Sequence, residues 1–198
     1  MSNAPVDIER RKFLTAATAV IGGAGVAATA VPFIKSWSPS AKTKAAGAPI
    51  EIDFSKIAPG QLIRVEWRGK PVWVVHRSQA ILDNLTTLNA ELKDPLSEEP
   101  QQPDYTINEF RSIKSQYFIA VGICTHLGCS PTYVSQGFSD KVKGVPSGFF
   151  CPCHGSSFDM AGRVFRNVPA PLNLVVPPHY YLTDTKVVIG QSQGDSVG

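Results

Sequence analysis

Cys124-Thr125-His126-Leu127-Gly128-Cys129 and Cys151-Pro152-Cys153-His154-Gly155-Ser156, two boxes separated by 21 residues, hold every cysteine in the 198-residue chain and two of its four histidines. Four thiols and two imidazoles thus fall within 31 positions, and the rest of the sequence reads as what carries or covers them. Thiolate sulfur and imidazole nitrogen at this spacing point to a soft or borderline metal, and leave open a zinc site or an iron–sulfur cluster with mixed ligands. Each box offers one cysteine and one histidine that can face a common centre: Cys124 with His126 in a C-x-H arm, Cys151 with His154 in a C-x-x-H arm. Two thiolates on one iron and two imidazoles on the other form a ligand set for a two-iron, two-sulfide cluster. Cys129 and Cys153 remain, one in each box. A zinc ribbon, or a pair of plain disulfides, is the rival reading of the same cysteines.

The boxes C-T-H-L-G-C and C-P-C-H-G-S resemble those of the Rieske iron–sulfur subunits of quinol–cytochrome c reductases, the cytochrome bc1 complexes. The second cysteine in each box sets the chain apart from Rieske ferredoxins and ring-hydroxylating oxygenases, whose boxes resemble C-x-H and C-x-x-H without it. The resemblance implies one 2Fe-2S cluster per chain, with Cys124, His126, Cys151 and His154 as ligands and a Cys129–Cys153 disulfide stapling the loops. It also implies that His154 is exposed and accepts a hydrogen bond from the quinol hydroxyl, with His126 the other exposed ligand. Leu127 and Gly128, at the tip, would dock in a quinone pocket on the cytochrome b subunit. Ser156 matches the family serine whose hydroxyl donates to a bridging sulfide. Two positions on, high-potential relatives have a tyrosine that donates to a cysteine sulfur; Phe158 stands here instead, and a phenyl ring cannot donate, so a lower midpoint potential is expected. Pro169-Ala170-Pro171, after Val168, matches the proline loop that covers the cluster and limits water access.

Charge is unevenly distributed. The net charge is +3, but six of the nineteen Lys and Arg and only two of the sixteen Asp and Glu precede residue 50, which leaves +4 there and −1 in the remainder. A near-neutral body behind basic residues that flank an apolar segment points to a membrane. No basic stripe with interleaved aromatics appears, so nucleic acid is not an expected partner. Residues 1–12 are polar and end in Arg10-Arg11-Lys12 before Phe13-Leu14, which resembles a twin-arginine export signal. That route carries folded proteins and so suits a cofactor inserted before export. Residues 13–34 carry no charge; as a helix rising about 1.5 Å per residue they would span about 33 Å, enough for the hydrocarbon core of a bilayer. Ala28-Thr29-Ala30 and Ala46-Gly47-Ala48 fit the small-x-small pattern of a signal-peptidase site, whereas the resemblance implies that the helix is kept as an anchor. Gly22, Gly23 and Gly25 would allow a partner helix to approach closely. Residues 35–49 mix Pro, Ser, Lys, Ala and Gly and read as a linker; the resemblance makes it a hinge. The expected organisation is a cytoplasmic 1–12, a transmembrane 13–34, a hinge 35–49 and a head 50–198 with its cluster-binding part at about 121–171.

The head opens with the alternating Ile50-Glu51-Ile52-Asp53-Phe54, as a half-buried strand should. A hairpin follows, Leu62 to Trp67, the turn Arg68-Gly69-Lys70-Pro71, then Val72 to His76. Ile81, Leu85, Leu88 and Leu92 recur at helical spacing after Ser78, an N-cap residue, and Asp94-Pro95 would end that helix. Residues 95–106 read as a polar surface loop. Tyr117 to Ile123 is an apolar strand that delivers the first box, 130–148 an irregular excursion, and Phe149-Phe150 the approach to the second box. Gly162 to Phe165 and Leu174-Val175-Val176 read as short strands, and Tyr180-Tyr181-Leu182 with Lys186 to Ile189 as the last hairpin. His76 reads as structural and His179 as a surface residue. Many short strands with one helix predict a mostly β head of packed antiparallel sheets; the resemblance refines this to a Rieske-type β-sandwich with a cluster-binding subdomain and a helical insert, behind a single N-terminal transmembrane helix.

The function implied is electron transfer within a quinol–cytochrome c reductase, a proton-translocating oxidoreductase to which the chain contributes as a subunit and not as a catalyst alone. The expected partners are the cytochrome b subunit, a membrane-bound c-type cytochrome, ubiquinol or menaquinol, and membrane lipid, in a dimeric complex. The expected location is the inner membrane, with the head in the periplasm. The rival readings are a Rieske subunit of a periplasmic oxidase or other quinol-oxidising complex, and a zinc-binding structural protein. An oxygenase would need a mononuclear iron triad, and only His76 and His179 are spare.

Overall fold

The computed structural model describes residues 7–142 and 144–194. The first six residues of the N-terminal segment and the last four of the head therefore lie outside the described residues. The chain divides into one compact unit that ends at Ala45 and another that begins at Ala46.

In the first unit, helix α1 runs Ile8–Ser36. Asp7 begins it, its carboxylate accepting the Glu9 and Arg10 amides at 3.1 Å each, which satisfies two of the orphan donors of the first turn. No residue of the helix is buried, and Phe13, Val20, Ile21, Val26 and Phe33 each expose 70–73% of their surface. An apolar helix bare on every side needs apolar surroundings, and this one is long and apolar enough to cross a membrane. The stretch expected to be an irregular linker contains a second helix, α2, Ala41–Gly47. Ser40 caps it, its hydroxyl accepting from the Thr43 amide at 3.2 Å. Ala and Lys are good helix formers, so a composition that reads as linker is also one that folds locally.

Among the described residues, the head is built on three three-stranded antiparallel sheets. Strands β1 (Ile50–Asp53), β9 (Lys186–Ile189) and β8 (His179–Tyr181) form the first, in that order, and β2 (Leu62–Trp67), β3 (Lys70–His76) and β4 (Tyr117–Val121) the second. The third joins β5 (Thr132–Val134), β6 (Gly148–Phe150) and β7 (Ser157–Phe158). The β2–β3 turn is tighter than its sequence implies: Trp67 pairs with Lys70, leaving two loop residues, Arg68 and Gly69, at φ 52° and 68°. Positive φ at both positions is the turn type that matches strand twist.

The middle sheet is covered on both faces, which is why its strands read as apolar runs. Side chains alternate along a strand, so Val72, Val74, Ile119 and Val121 face the first sheet, with Ile52, Phe54, Trp67, Val187 and Ile189. Trp73, Val75, Phe118 and Ala120 face the other way, into a core with Cys124, Phe149, Cys151, Phe158, Ala161 and Val164. The cluster boxes thus rest on the back of a sandwich.

The residues expected to form one helix over 78–92 form two pieces. Ser78 does cap α3, accepting from the Ile81 amide, but α3 is only Gln79–Leu85. Thr86 and Thr87 end it by bonding their hydroxyls back to the Asp83 and Asn84 carbonyls at 2.9 and 2.8 Å, and a short 3-10 turn, Asn89–Glu91, follows. Leu88 and Leu92 then enter a third core with Phe138, Val145 and Phe165, so the excursion 130–148 is anchored and not merely irregular. Residues 162–165 make only isolated bridges, Phe158 with Val164 and Leu92 with Phe165, and 174–176 join no ladder, although the Val175 carbonyl accepts from Val121 at 2.8 Å. His179 is a correction: it is 1% exposed, not a surface residue. The chain after Pro177-Pro178 enters the first sheet as β8, and Tyr105 of the insert covers it, its hydroxyl accepting the His179 amide at 2.9 Å.

Candidate metal centre

β4 ends at Val121 and delivers the first box; β6 ends at Phe150 and delivers the second. The two loops repeat one backbone frame. The Cys124 amide donates to the Cys129 carbonyl at 2.7 Å and Gly128 N–H to the Cys124 carbonyl at 3.1 Å. In the second box the Cys151 amide donates to the Ser156 carbonyl at 2.8 Å and Gly155 N–H to the Cys151 carbonyl at 2.9 Å. Gly128 and Gly155 occupy the same place in the frame, at φ 83° and 77°. Nothing lies within 4 Å of an added Cβ at either one, so it is the left-handed backbone and not space that favours glycine there.

The frames bring the box residues together. Cys124 and Cys151 are free and buried, and their thiols lie within hydrogen-bonding reach of each other. Burial pushes the Cys124 thiol up, against the pull of the His126 amide. Cys129 and Cys153 form a disulfide across the loops, and the Cys151 sulfur lies within 4.8 Å of both its sulfurs. A disulfide has no thiolate to give a metal, so that trio of sulfurs is not itself a ligand set. The rings of His126 and His154 stand 4.8 Å apart, nearly perpendicular at 88°. His154 is exposed and His126 half-buried.

His126 Nδ1 is buried and has no hydrogen-bond partner among the described residues. Buried polar atoms rarely go unpaired. An inward nitrogen lacking a protein partner, on a loop that begins with a buried free thiol, fits a sulfur- and nitrogen-ligated group. The residues that could hold a two-iron, two-sulfide cluster are therefore Cys124, Cys151, His126 and His154.

Around these side chains the other singled-out residues take up distinct places. Leu127 projects with 71% of its surface exposed, beside the exposed Gly128. Ser156 is buried; its Oγ accepts from the Ala170 amide at 3.0 Å, and the residue lies beside Cys124, whose thiolate form it favours. Phe158 is wholly buried in β7, paired with Phe149. The proline loop lies against the boxes: Ala170 is buried between exposed Pro169 and Pro171, and Thr125 Oγ1 donates to the Leu172 carbonyl at 2.6 Å.

Sequence reasoning missed the charged residues that hold this layer. Asp159 and Arg163 form a wholly buried pair at 2.7 Å, and Arg163 also donates to Leu85, Pro95 and Asn89. Arg77 donates to the Phe110, Met160 and Ser115 carbonyls and to Ser112 Oγ, and Arg111 to the Ala161, Gly162 and Leu174 carbonyls and to Gln102. Burial lowers Arg77 to about 9 and Arg111 to about 10, with Asp159 pulling both back up, so both remain charged at neutral pH. No spacing in the sequence points to them, because arginine normally reads as surface. The spare histidines are structural: His76 Nδ1 pairs with the Ile57 carbonyl at 2.9 Å and His179 Nδ1 with the Pro177 carbonyl at 2.8 Å.

Comparison with known proteins gives the family. Residues 52–178 match the family described as Rieske [2Fe-2S] domain, and residues 1–40 match that described as ubiquitinol-cytochrome C reductase Fe-S subunit TAT signal. The chain is 56% identical to the ubiquinol-cytochrome c reductase iron-sulfur subunit of Allochromatium vinosum, over 99% of this chain and 95% of that one. It is 46% identical to the protein of that name from Bradyrhizobium diazoefficiens, over 91% and 94%. A solved chain titled Hyperthermophilic respiratory Complex III aligns at 28% identity and a TM-score of 0.47, over 89% of this chain and 98% of that one. On the family match and the sequence identities, the chain belongs to the Rieske iron–sulfur proteins and, among them, to the iron–sulfur subunits of ubiquinol–cytochrome c reductase.

Proposed function

We propose that this chain carries electrons, one at a time, from a quinol bound at a cytochrome b subunit to a membrane-bound c-type cytochrome. Cys124 and Cys151 would hold one iron of a 2Fe-2S cluster, and His126 and His154 the other. When bound, the cluster supplies a one-electron acceptor whose potential is raised because two neutral imidazoles replace two anionic thiolates. His154, exposed at the tip, accepts the hydrogen bond of the quinol hydroxyl and takes its proton on the outward ring nitrogen. Leu127 and Gly128 form the apolar tip that seats in the quinone pocket, and the proline loop keeps water from the buried thiols. α1 anchors the chain in the inner membrane after twin-arginine export, the head lies in the periplasm, and residues 35–49 tether it so that it travels between its two partners in a dimeric complex. Ubiquinol is the reductant named for the relatives, and menaquinol is an alternative of the same chemistry.

The observation that carries this reading is the convergence of two matched loops, with free thiols buried behind and imidazoles at the surface. The test is quinol-driven reduction of an added c-type cytochrome by membranes with and without the chain. Membranes that hold it are expected to reduce the cytochrome and to stop when a quinol-site inhibitor is added. Equal rates without the chain, or recovery of the chain only in the soluble extract, would contradict the proposal.

A further inference from the structure

The proline loop is held from outside by a residue of the insert that no motif singles out. Lys93 Nζ donates to the Val168 carbonyl at 2.8 Å and the Ala170 carbonyl at 2.7 Å. Both bonds are charge-assisted and therefore among the stronger hydrogen bonds a protein makes. The backbone beneath the lysine is fixed as well: the Lys93 amide donates to the Val164 carbonyl at 3.0 Å, Leu92 bridges Phe165, and the Arg166 amide donates to the Glu91 carbonyl at 2.8 Å. The ammonium is thus presented to the loop from a rigid base.

What the clamp presents inward is one amide. Ala170 N–H donates to Ser156 Oγ at 3.0 Å, and this occupies a lone pair of the hydroxyl and leaves its proton free to point elsewhere. That proton is free to turn toward the neighbouring Cys124, whose thiolate form Ser156 favours. Donation to a cluster sulfur stabilises the more negative, reduced state and raises the potential. From outside to inside, the bonds run from Lys93 to Ala170 and from Ala170 to Ser156, which lies beside Cys124.

We propose that Lys93 is a positioning residue for electron transfer: by holding the Val168 and Ala170 carbonyls it keeps the Ala170 amide on Ser156, and so keeps the Ser156 hydroxyl aimed as a donor into the cluster site. The proposal rests on the reading of Cys124 as a cluster ligand.

The test is an EPR-monitored redox titration of membranes containing the full chain, parent and Lys93→Met, Lys93→Arg, Ser156→Ala and the Lys93→Met/Ser156→Ala double variant. Lys93→Met is expected to lower the midpoint, by less than Ser156→Ala does, and Lys93→Arg to restore it, since arginine keeps the donors. In the Ser156→Ala background Lys93→Met is expected to add nothing, because its route to the cluster is already gone. A parental midpoint in Lys93→Met would overturn the proposal. So would an equal downward shift in both backgrounds, which would make Lys93 a plain charge acting on its own. If Lys93→Met gives no signal while Lys93→Arg keeps a normal one, the donors are required for the layer to form, and the aiming role is rejected in favour of a structural one. A parent without any mixed-ligand cluster signal would instead refute the ligand reading beneath it, so the two failures are distinct.

Discussion

The two faces of the middle sheet are stabilised in different ways. On one face, Val72, Val74, Ile119 and Val121 meet the first sheet in a core built of hydrophobic side chains. On the other face lies the cluster layer, whose strands β5, β6 and β7 are only three, three and two residues long and whose burial includes Arg77, Arg111, Asp159, Arg163 and Asn173. The first face is held by the area it hides from water. The second face cannot rely on ladders that short, and its loops leave carbonyls that must be paired. The buried guanidiniums pair them, each with several loop carbonyls. The lesson is that a sheet packed by apolar area carries a layer whose loops are fixed by directional, charged contacts, which suits the proposed site, where four ligands would have to be held still.

The largest effect should come from the layer held by charge. Asp159→Asn leaves Arg163 buried without its counter-ion, and breaking such a pair costs roughly 3–5 kcal/mol. The loss should be local first: on heating, the EPR or visible signature of the cluster is expected to disappear at a lower temperature than the far-ultraviolet signal of the sheets. Coincident loss would erase the contrast. Ile119→Ala, in the apolar core where Ile119 is 1% exposed, should cost about 2–5 kcal/mol and move both signals together, since β4 is shared by the two faces. Separate transitions in that variant would be the wrong result.

Smaller effects sharpen the same comparison. Burial holds the His179 imidazole below its ordinary value of 6.5. A folded value below the unfolded one means that the unfolded chain binds the proton first, so this contribution is present above about 6.5 and is lost as pH falls below it. His179→Gln should therefore flatten the acid limb of the stability profile while leaving the midpoint potential where it was; an unchanged acid limb would count against the burial argument. Phe158→Tyr acts in the cluster layer, where it should raise the midpoint by adding a donor near a cysteine sulfur; a midpoint that does not move would sink the idea that Phe158 lowers it. Smallest of all, Asp184→Asn breaks an ion pair with Lys114 in which the carboxylate is fully exposed, and no measurable change in unfolding temperature is expected.

How far the sequence could be read follows the same division. The strands of the sandwich were legible because apolar alternation encodes their faces, as Ile50 to Asp53 and the Leu62 to His76 hairpin show. The boxes were legible because thiols and imidazoles so spaced have few uses. The length of the 78–92 helix was not, because Leu88 and Leu92 keep helical spacing while serving a separate core, and because two adjacent threonines can end a helix by bonding their own carbonyl neighbours. The helix at Ala41–Gly47 hid in a composition shared by linkers and helices. Lys93, Thr125 and the buried arginines carried no periodic signal at all, since their role depends on carbonyls brought close only by the fold.

The central claim is that two matched loops place two imidazoles on one iron and two thiolates on the other. Pulsed EPR of reduced membranes containing the chain tests it most directly, because imidazole nitrogens bound to the reduced iron couple to its electron spin. Two distinct nitrogen couplings on a 2Fe-2S signal are the result this account predicts, with one lost together with the signal's normal form in His154→Cys. A cluster signal with no nitrogen coupling, or zinc with no cluster signal, would contradict it.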